Sequence, residues 1–551
     1  MRVLGVNALF HDPSAALVVD GRVVSAVEEE RFSRRKHGKR PVPFSAWELP
    51  EKAMAWCLAE SGLAPGDLDA VAYSYDPALS KPAESLGLAD PWDHLRQMYA
   101  DNVPGFLRAA LPGLDTARVR FVAHHVAHAA SAALASPYET CSVLVLDGRG
   151  ERASHLAGHY DGGRLRVLAG QELPDSLGLL YESLTEHLGF LRSSDEYKVM
   201  ALAAYGRPVL LPELRRTVRT TGDGGFVAPV PDWSAWAPPR DPHDEACSEA
   251  HADLAASVQA RVEEVLVELA RWLRASTGDT ALTMAGGVAL NCVANSRIWR
   301  EAGFDEVWVQ PASGDSGTAL GAALQVAADL GERLEPMPSA ALGRGWGDDE
   351  LAAWLRAAAV PFTTPDDLAG EVADALAGNA VVAWFDGRAE FGPRALGQRS
   401  LLAHPGHATN VERLNDVKGR EQFRPVAPMV LAERAGAIFH DGPLPSPYML
   451  FVHRVDDAWR ARIPATVHVD GTARIQTVDP GSQPRLARLL EAFDERTGLP
   501  VLVNTSLNTA GRPMVDDPRD ALELFGSAPV DVMVLGPHVV RRAAMFAGAT
   551  P

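Results

Sequence analysis

The chain has 551 residues, 52 of them basic and 71 acidic, for a formal charge of −19; its summed field repels polyanions and argues against nonspecific nucleic-acid binding. That length exceeds one ordinary core and predicts two or three domains at about 150 residues each. Cys57, Cys141, Cys247 and Cys292 stand far apart with no Cys-x-x-Cys pair, and no uncharged apolar run is long enough for a bilayer, so zinc ribbons, disulfide frameworks and membrane spans are excluded and a soluble cytoplasmic protein is expected.

In chain order, residues 3–6, 14–19 and 23–27 read as strands, the last two joined by Asp20-Gly21, a strong hairpin signal. Next comes Phe121-Val-Ala-His124-His125-Val-Ala-His128. On a helix, His124 and His128 share one face and converge on a single cation. His125 points off that face and reads as a support for the ligands or as structural. Two acidic loops downstream, Asp147-Gly148 and Gly314-Asp315, close a mixed nitrogen and oxygen coordination sphere. Residues 143–146, 155–160 and 165–168 repeat the opening plan of strand, polar loop and hairpin. Duplicated lobes with facing acidic and glycine loops predict an α/β actin-like fold with a nucleotide between the lobes.

Helical spacing over 250–275 predicts a long helix, followed by a strand that runs into Gly286-Gly287 and Asn291. Glycines there let backbone amides approach an anion at a helix start. Proline and glycine concentrate over 334–348, and the domain boundary is placed at 338/339. Beyond it the cations come in blocks: Arg388 and Arg394 after a buried strand at 381–385, then Lys418, Arg420 and Arg424, then Arg474 in a strand and Asn504 and Ser506 in a loop. Glycine-spaced guanidinium forks beside an Asn/Ser loop suit phosphoryl or acyl-phosphate oxygens. Surface ion pairing is the alternative for any single arginine.

The chain resembles the O-carbamoyltransferases typified by nodulation protein U and the cephalosporin and aminoglycoside carbamoyltransferases. The motifs that carry the resemblance include His11-Asp12-x-Ser14, Glu28-Glu-Glu30-Arg31-Phe32, His124-His125-x-x-His128, Asp195-Glu196-Tyr197-Lys198, Gly286-Gly287-Val288-Ala289-x-Asn291, Phe391-Gly392-Pro393-Arg394, Phe423-Arg424-Pro425 and Asn504-Thr505-Ser506-x-Asn508. The resemblance implies an N-terminal actin-like (ASKHA) lobe pair over residues 1–338 for metal-dependent carbamoyl transfer. It also implies a C-terminal threonylcarbamoyl-AMP synthase-like α/β domain over 339–551 for adenylation. In this scheme carbamoyl phosphate and Mg-ATP give carbamoyl-adenylate in the C-terminal domain. The carbamoyl group then passes to a hydroxyl of a small-molecule natural product, with a sugar hydroxyl of an antibiotic as the leading choice.

His11, in the polar loop after the first strand, is the expected general base, an imidazole near neutrality that takes the hydroxyl proton. Capping or phosphate contact is its alternative role. His124, His128, Asp147 and Asp315 are the expected ligands of a divalent metal; this donor set suits Fe(II), Zn(II) or Mn(II), and the resemblance favours iron. Glu196, Lys198, Gly286, Gly287 and Asn291 are implied for the N-terminal nucleotide site. For the carbamoyl phosphate and ATP site they are Arg388, Arg394, Lys418, Arg420, Arg424, Arg474, Asn504 and Ser506. Segments 73–111 and 215–249 read as insertions that wall the acceptor, with Trp92, Trp233 and Trp236 either stacking on it or packing locally. Partners are thus small molecules, without nucleic acid or membrane, acting on a monomer or homodimer. Two rival readings are an actin-like sugar kinase, which has no need of an arginine-rich second domain, and a carbamoyltransferase with a non-hydroxyl acceptor.

Overall fold

The computed structural model describes residues 1–38, 48–244 and 247–545. The chain forms two compact units, Met1–Pro338 and Ser339–Pro551.

In the first unit the same sheet is built twice. Strand Arg2–Asn7 pairs antiparallel with the hairpin Ser14–Val19 and Arg22–Glu28 on one side, and parallel with Ala70–Tyr73 and then Val119–Phe121 on the other. Strand Thr140–Leu146 repeats this order, with Ala153–Asp161 and Arg164–Glu172 as its hairpin and Ala281–Ala285 and Glu306–Val309 as its parallel neighbours. The identical order in both lobes is the duplicated actin-like α/β plan.

Helix His124–Ala133 packs on the second sheet, helix Ser316–Asp329 packs on the first, and the two helices pack on each other between the sheets. Their close approach is written in two glycines. A Cβ at Gly321 would lie 1.8 Å from the Ala127 carbonyl oxygen, and one at Gly5 would lie 1.8 Å from that of Ala319. No side chain fits at either contact. The helix at Glu249–Thr277 runs slightly beyond the span read from the sequence, with Ser248 as its N-cap and Gly278 closing it in the left-handed region.

The second unit is organised by a seven-stranded mixed sheet in the order Gln476–Val478, Ala427–Leu431, Val501–Ser506, Arg399–Ala403, Val382–Phe385, Val532–Leu535, His538–Arg541. Both faces are covered: Val382, Trp384 and Leu402 face one core cluster, while Ala383, Phe385 and Leu401 face the other. Alternation along a strand divides these residues between two cores, so the sequence reads as a continuous apolar run. Asn504 and Ser506 therefore lie on a strand rather than in a loop, because the buried run from Val501 carries the chain into the sheet as far as Ser506. Arg474 lies between the short strands Thr472–Ala473 and Gln476–Val478. Among the described residues no helix is long and apolar enough to cross a membrane.

Candidate functional site

The histidine helix aims two buried imidazoles at two buried carboxylates. His124 Nε2 lies 3.4 Å from Asp147 Oδ2 and 3.6 Å from Asp315 Oδ1; His128 Nε2 lies 3.8 and 3.5 Å from the same two oxygens. The four ligand atoms all fall within 4.8 Å of one another. Asp147 follows the central strand of the second sheet, and its Oδ1 accepts the Gly287 N–H at 3.0 Å. Asp315 stands at the N-terminus of helix Ser316–Asp329 but makes no side-chain cap bond. His124 Nδ1 donates to the Ser74 carbonyl at 3.3 Å, which fixes the tautomer that leaves Nε2 as a lone-pair donor.

Among the described residues neither Nε2 has a hydrogen-bond partner, and both are buried. Orphaned buried polar atoms cost about 1–3 kcal/mol each, so such a cluster calls for an occupant. A proton on His124 is one answer: burial opposes the imidazolium, but Asp147 and Asp315 outweigh it and hold this pKa well above the ordinary value. Burial likewise works against the Asp147 carboxylate, yet the neighbouring histidines hold its pKa below the usual range. A divalent cation is the other answer, and two imidazole nitrogens with two carboxylate oxygens fit one. His125 faces elsewhere, with its ring against Gly150, and burial drives its pKa well below normal.

A second constellation lies in the loop after the first strand. Phe10 and Asp12 flank His11 with φ of 67° and 47°, a left-handed conformation uncommon outside glycine. Asp12 bridges two imidazoles, with Oδ2 2.9 Å from His11 Nδ1 and Oδ1 2.8 Å from His37 Nδ1, and the rings stack at 4.5 Å. These short contacts satisfy both Nδ1 atoms without a metal. His11 is buried against protonation, but Asp12, then Asp315 and Glu196, overcome that and raise its pKa to about 10, above the near-neutral value expected from sequence. His37 was missed, because Lys36-His37-Gly38 lies outside any periodic segment.

The residues implied for the N-terminal nucleotide site are spread over three kinds of contact. Glu196 Oε1 accepts the Ser193 N–H at 2.7 Å, and burial with Glu182 nearby pushes its pKa up to about 7. Lys198 pairs with Asp195 at 2.9 Å rather than with Glu196. Gly286 and Gly287 sit beside the Asp147 loop, while Asn291 Oδ1 caps its helix at Ala294 N and its Nδ2 donates to Gln259.

The insertion 73–111 is tied to this region. Asp90 accepts from Arg96 at 2.8 Å and from Arg149, in the Asp147 loop, at 2.7 Å. Both guanidinium groups lie about 5 Å from the ring of Phe10, whose edge meets His124. Trp233 is buried and donates to Ser183, a local packing anchor, whereas Trp92 is 39% exposed.

In the second unit Lys418 is buried, and its ammonium donates to neutral oxygens of Ser506 and Asn508, at 2.5 to 3.1 Å. Asn504 Nδ2 donates to the Ala395 carbonyl, beside Arg394, and to Gln476 Oε1. Arg474 is half-buried and, among the described residues, its guanidinium Nε has no hydrogen-bond partner. Arg388 donates to the Gly343 and Leu342 carbonyls, Arg420 donates to Asn415, and Arg424 faces Glu421 at 3.8 Å. Arg388 and Arg420 thus brace loops, while Lys418 places its positive charge among the Ser506 and Asn508 oxygens. Asn508 and Gln476 join this set. Only the Asn-x-x-x-Asn spacing hinted at the first.

The repeated lobes and the buried histidine and aspartate centre define an actin-like enzyme scaffold. Comparison with known proteins names its family: Carbamoyltransferase N-terminus matches residues 2–85, 92–223 and 240–324, and Carbamoyltransferase C-terminus matches 373–542. The chain belongs to the carbamoyltransferase family and is a transferase. It is 35% identical to an uncharacterised protein of Synechocystis sp., over 98% of this chain and 97% of that one. It is 36% identical to nodulation protein NolNO of Sinorhizobium fredii, over 97% and 80%. It is also 35% identical to 3′-hydroxymethylcephem-O-carbamoyltransferase of Streptomyces clavuligerus, over 73% and 72%. Residues 86–91 and 224–239 fall outside the family match, within the two segments read as insertions.

Proposed function

We propose that the protein is an ATP-dependent O-carbamoyltransferase. The second unit converts carbamoyl phosphate and Mg-ATP to carbamoyl-adenylate, with loss of phosphate and pyrophosphate. In the first unit a small-molecule hydroxyl attacks the carbamoyl carbon and AMP leaves. The observation that carries this reading is the pairing of the family match with a buried His124, His128, Asp147 and Asp315 set whose Nε2 atoms lack partners.

A divalent cation held by those four residues would supply Lewis-acid polarisation of the carbamoyl oxygen or an adenylate phosphate; the donor set suits Fe(II), and Zn(II) and Mn(II) also fit. The chain's own groups divide the remaining work. His11, with Nδ1 anchored on Asp12, presents Nε2 as the atom that takes the hydroxyl proton. Asp12 steadies the resulting imidazolium, and His37 holds the other Asp12 oxygen. Asp315 adds to the raised pKa of His11, so neutralising Asp315 at a cation centre brings the imidazole nearer to a working base. Glu196, Lys198 and the Gly286-Gly287 turn are assigned to the adenosine of the incoming adenylate. In the second unit Lys418, Arg394, Arg424 and Arg474 receive phosphoryl oxygens, with Asn504 and Ser506 orienting them.

The name of the cephem relative supports a hydroxymethyl or sugar hydroxyl of a natural product as the acceptor. Four free cysteines support a reducing, cytoplasmic setting. Incubation with ATP and carbamoyl phosphate tests the reading: AMP and pyrophosphate should form, and mass spectrometry of a panel of hydroxylated antibiotics should find one that gains a single carbamoyl group. ADP as the nucleotide product would instead identify a kinase.

A further inference from the structure

The first two parallel strands end side by side, with Val6 opposite Tyr73, so Asn7, the last residue of one strand, and Ser74, the first beyond the other, are neighbours where the His11 loop begins. Asn7 is 1% exposed, Ser74 1% and Thr318 0%, and all three are polar. Buried polar side chains persist where they are hydrogen-bonded into something that needs them.

Asn7 uses its whole carboxamide. Nδ2 donates to the His11 carbonyl at 2.8 Å and to the Asp12 carbonyl at 3.0 Å, and Oδ1 accepts the Ser74 hydroxyl at 3.2 Å. This clamp closes on the loop in which Phe10 and Asp12 adopt positive φ, a conformation that costs about 1–3 kcal/mol per residue and persists only when its surroundings impose it. Ser74 faces the other way as well: its carbonyl accepts Nδ1 of His124 at 3.3 Å. Thr318 Oγ1 lies 2.9 Å from Ser74 Oγ and 2.6 Å from the carbonyl of Asp315.

The proton count makes this chain responsive. Three oxygen–oxygen contacts, Asn7 to Ser74, Ser74 to Thr318 and Thr318 to Asp315, share only the two hydroxyl protons of Ser74 and Thr318. One contact is always without a proton, so the hydroxyls have alternative settings. A cation at His124 Nε2 strengthens the Nδ1–H donor toward Ser74, and one on Asp315 draws on the residue whose carbonyl competes for the Thr318 proton.

We infer that Asn7, Ser74 and Thr318 are positioning residues that couple cation binding at His124 and Asp315 to the conformation of the His11 loop. The inference rests on the cation site proposed above. Loading the centre favours the hydroxyl setting that tightens the clamp, so the loop that carries the base is held more firmly when the cation is there to act with it.

Hydrogen–deuterium exchange of the full-length chain with Co(II) alone, after chelator treatment, tests this without substrate or turnover. Co(II) binding is followed in parallel by its visible absorption. Co(II) should slow exchange at the amides of residues 10–12 about tenfold in the unaltered protein. In Ser74→Ala, which keeps the carbonyl under His124, Co(II) should still bind but the slowing should vanish. Thr318→Val is isosteric and provides a second variant with the same expectation should Ser74→Ala fold poorly. If the unaltered protein binds no Co(II), the cation site and the coupling fall together. If Co(II) binds and exchange at 10–12 is unchanged, or if folded Thr318→Val keeps the slowing, the coupling falls and the cation site stands.

Discussion

In the first unit two of the buried side-chain nitrogens without a hydrogen-bond partner among the described residues, His124 Nε2 and His128 Nε2, face two carboxylates. In the second unit the corresponding feature is cationic: Arg474, whose Nε has no hydrogen-bond partner among the described residues, and Lys418, whose ammonium donates to oxygens of Ser506 and Asn508. A chain of net charge −19 thus sets an imidazole pair against carboxylates in one unit and draws cations into its interior in the other. Each is expensive to bury without a ligand of opposite character. The contrast teaches that a charge is informative when its neighbours fail to cancel it. Arg399 makes the point from the other side, since it is fully buried yet donates to the Asp386, Gly387, Gln398 and Arg344 carbonyls and lies over Phe385. It braces the fold.

The comparison breaks most readily at the metal centre. Replacing both His124 and His128 with Ala should abolish bound metal by elemental analysis and lower carbamoyl transfer about a thousandfold or more, the several kcal/mol a Lewis acid supplies. AMP formation from carbamoyl phosphate and ATP should survive; its loss to the same degree would erase the division of labour between the units. Next comes the converse. Arg474→Met should lower AMP formation about a hundredfold through loss of a charge-assisted anion contact. Because Arg474 Nε has no hydrogen-bond partner among the described residues, unfolding free energy should move by less than about 0.5 kcal/mol. Lys418→Met should differ, destabilising the fold by about 2–4 kcal/mol as its oxygen acceptors lose their donor. Equal stability loss in the two variants would show that Arg474 is structural after all.

A smaller effect sharpens the first unit. His37→Ala should slow transfer about tenfold by leaving one Asp12 oxygen unheld, and His37→Asn, which restores an N–H near the Nδ1 position, should recover most of it. The smallest is a stability change with pH. Burial and the nearby Glu48 raise the pKa of Glu29 to about 7. Between its unfolded value near 4.5 and about 7 the native state therefore binds the extra proton, and stability should fall as pH rises through that window. Glu29→Gln should flatten the fall, worth about 2–3 kcal/mol, in denaturant midpoints measured at intervals from pH 4 to 8.

Much of the candidate site was legible because it obeys a period. His124 and His128 sit four apart on a helix, and Asp147 and Asp315 end apolar strand runs in Gly-flanked turns, so their elements could be recognised one at a time. Asn7, Ser74 and His37 could not be found this way. Each is a single polar residue at the end of a strand or in a loop, and its importance lies in contacts with residues tens of positions away. For Asn291 neither the cap it forms at Ala294 nor its bond to Gln259 on the long helix was read from the sequence.

The sequence by itself determined the α/β class, the two matching hairpin lobes, the helical histidine pair and the arginine blocks, because periodicity, turn chemistry and charge are local properties of the chain. Tertiary structure alone decided which histidine nitrogen faces the carboxylates, what surrounds each cation and how the His11 loop is held. Those depend on what the fold brings alongside each group: a carbonyl from Ser74, a carboxamide from Asn7, or, among the described residues, no hydrogen-bond partner for Arg474 Nε. Partnering of that kind is a property of distance, and distance is set only when sheets and helices pack.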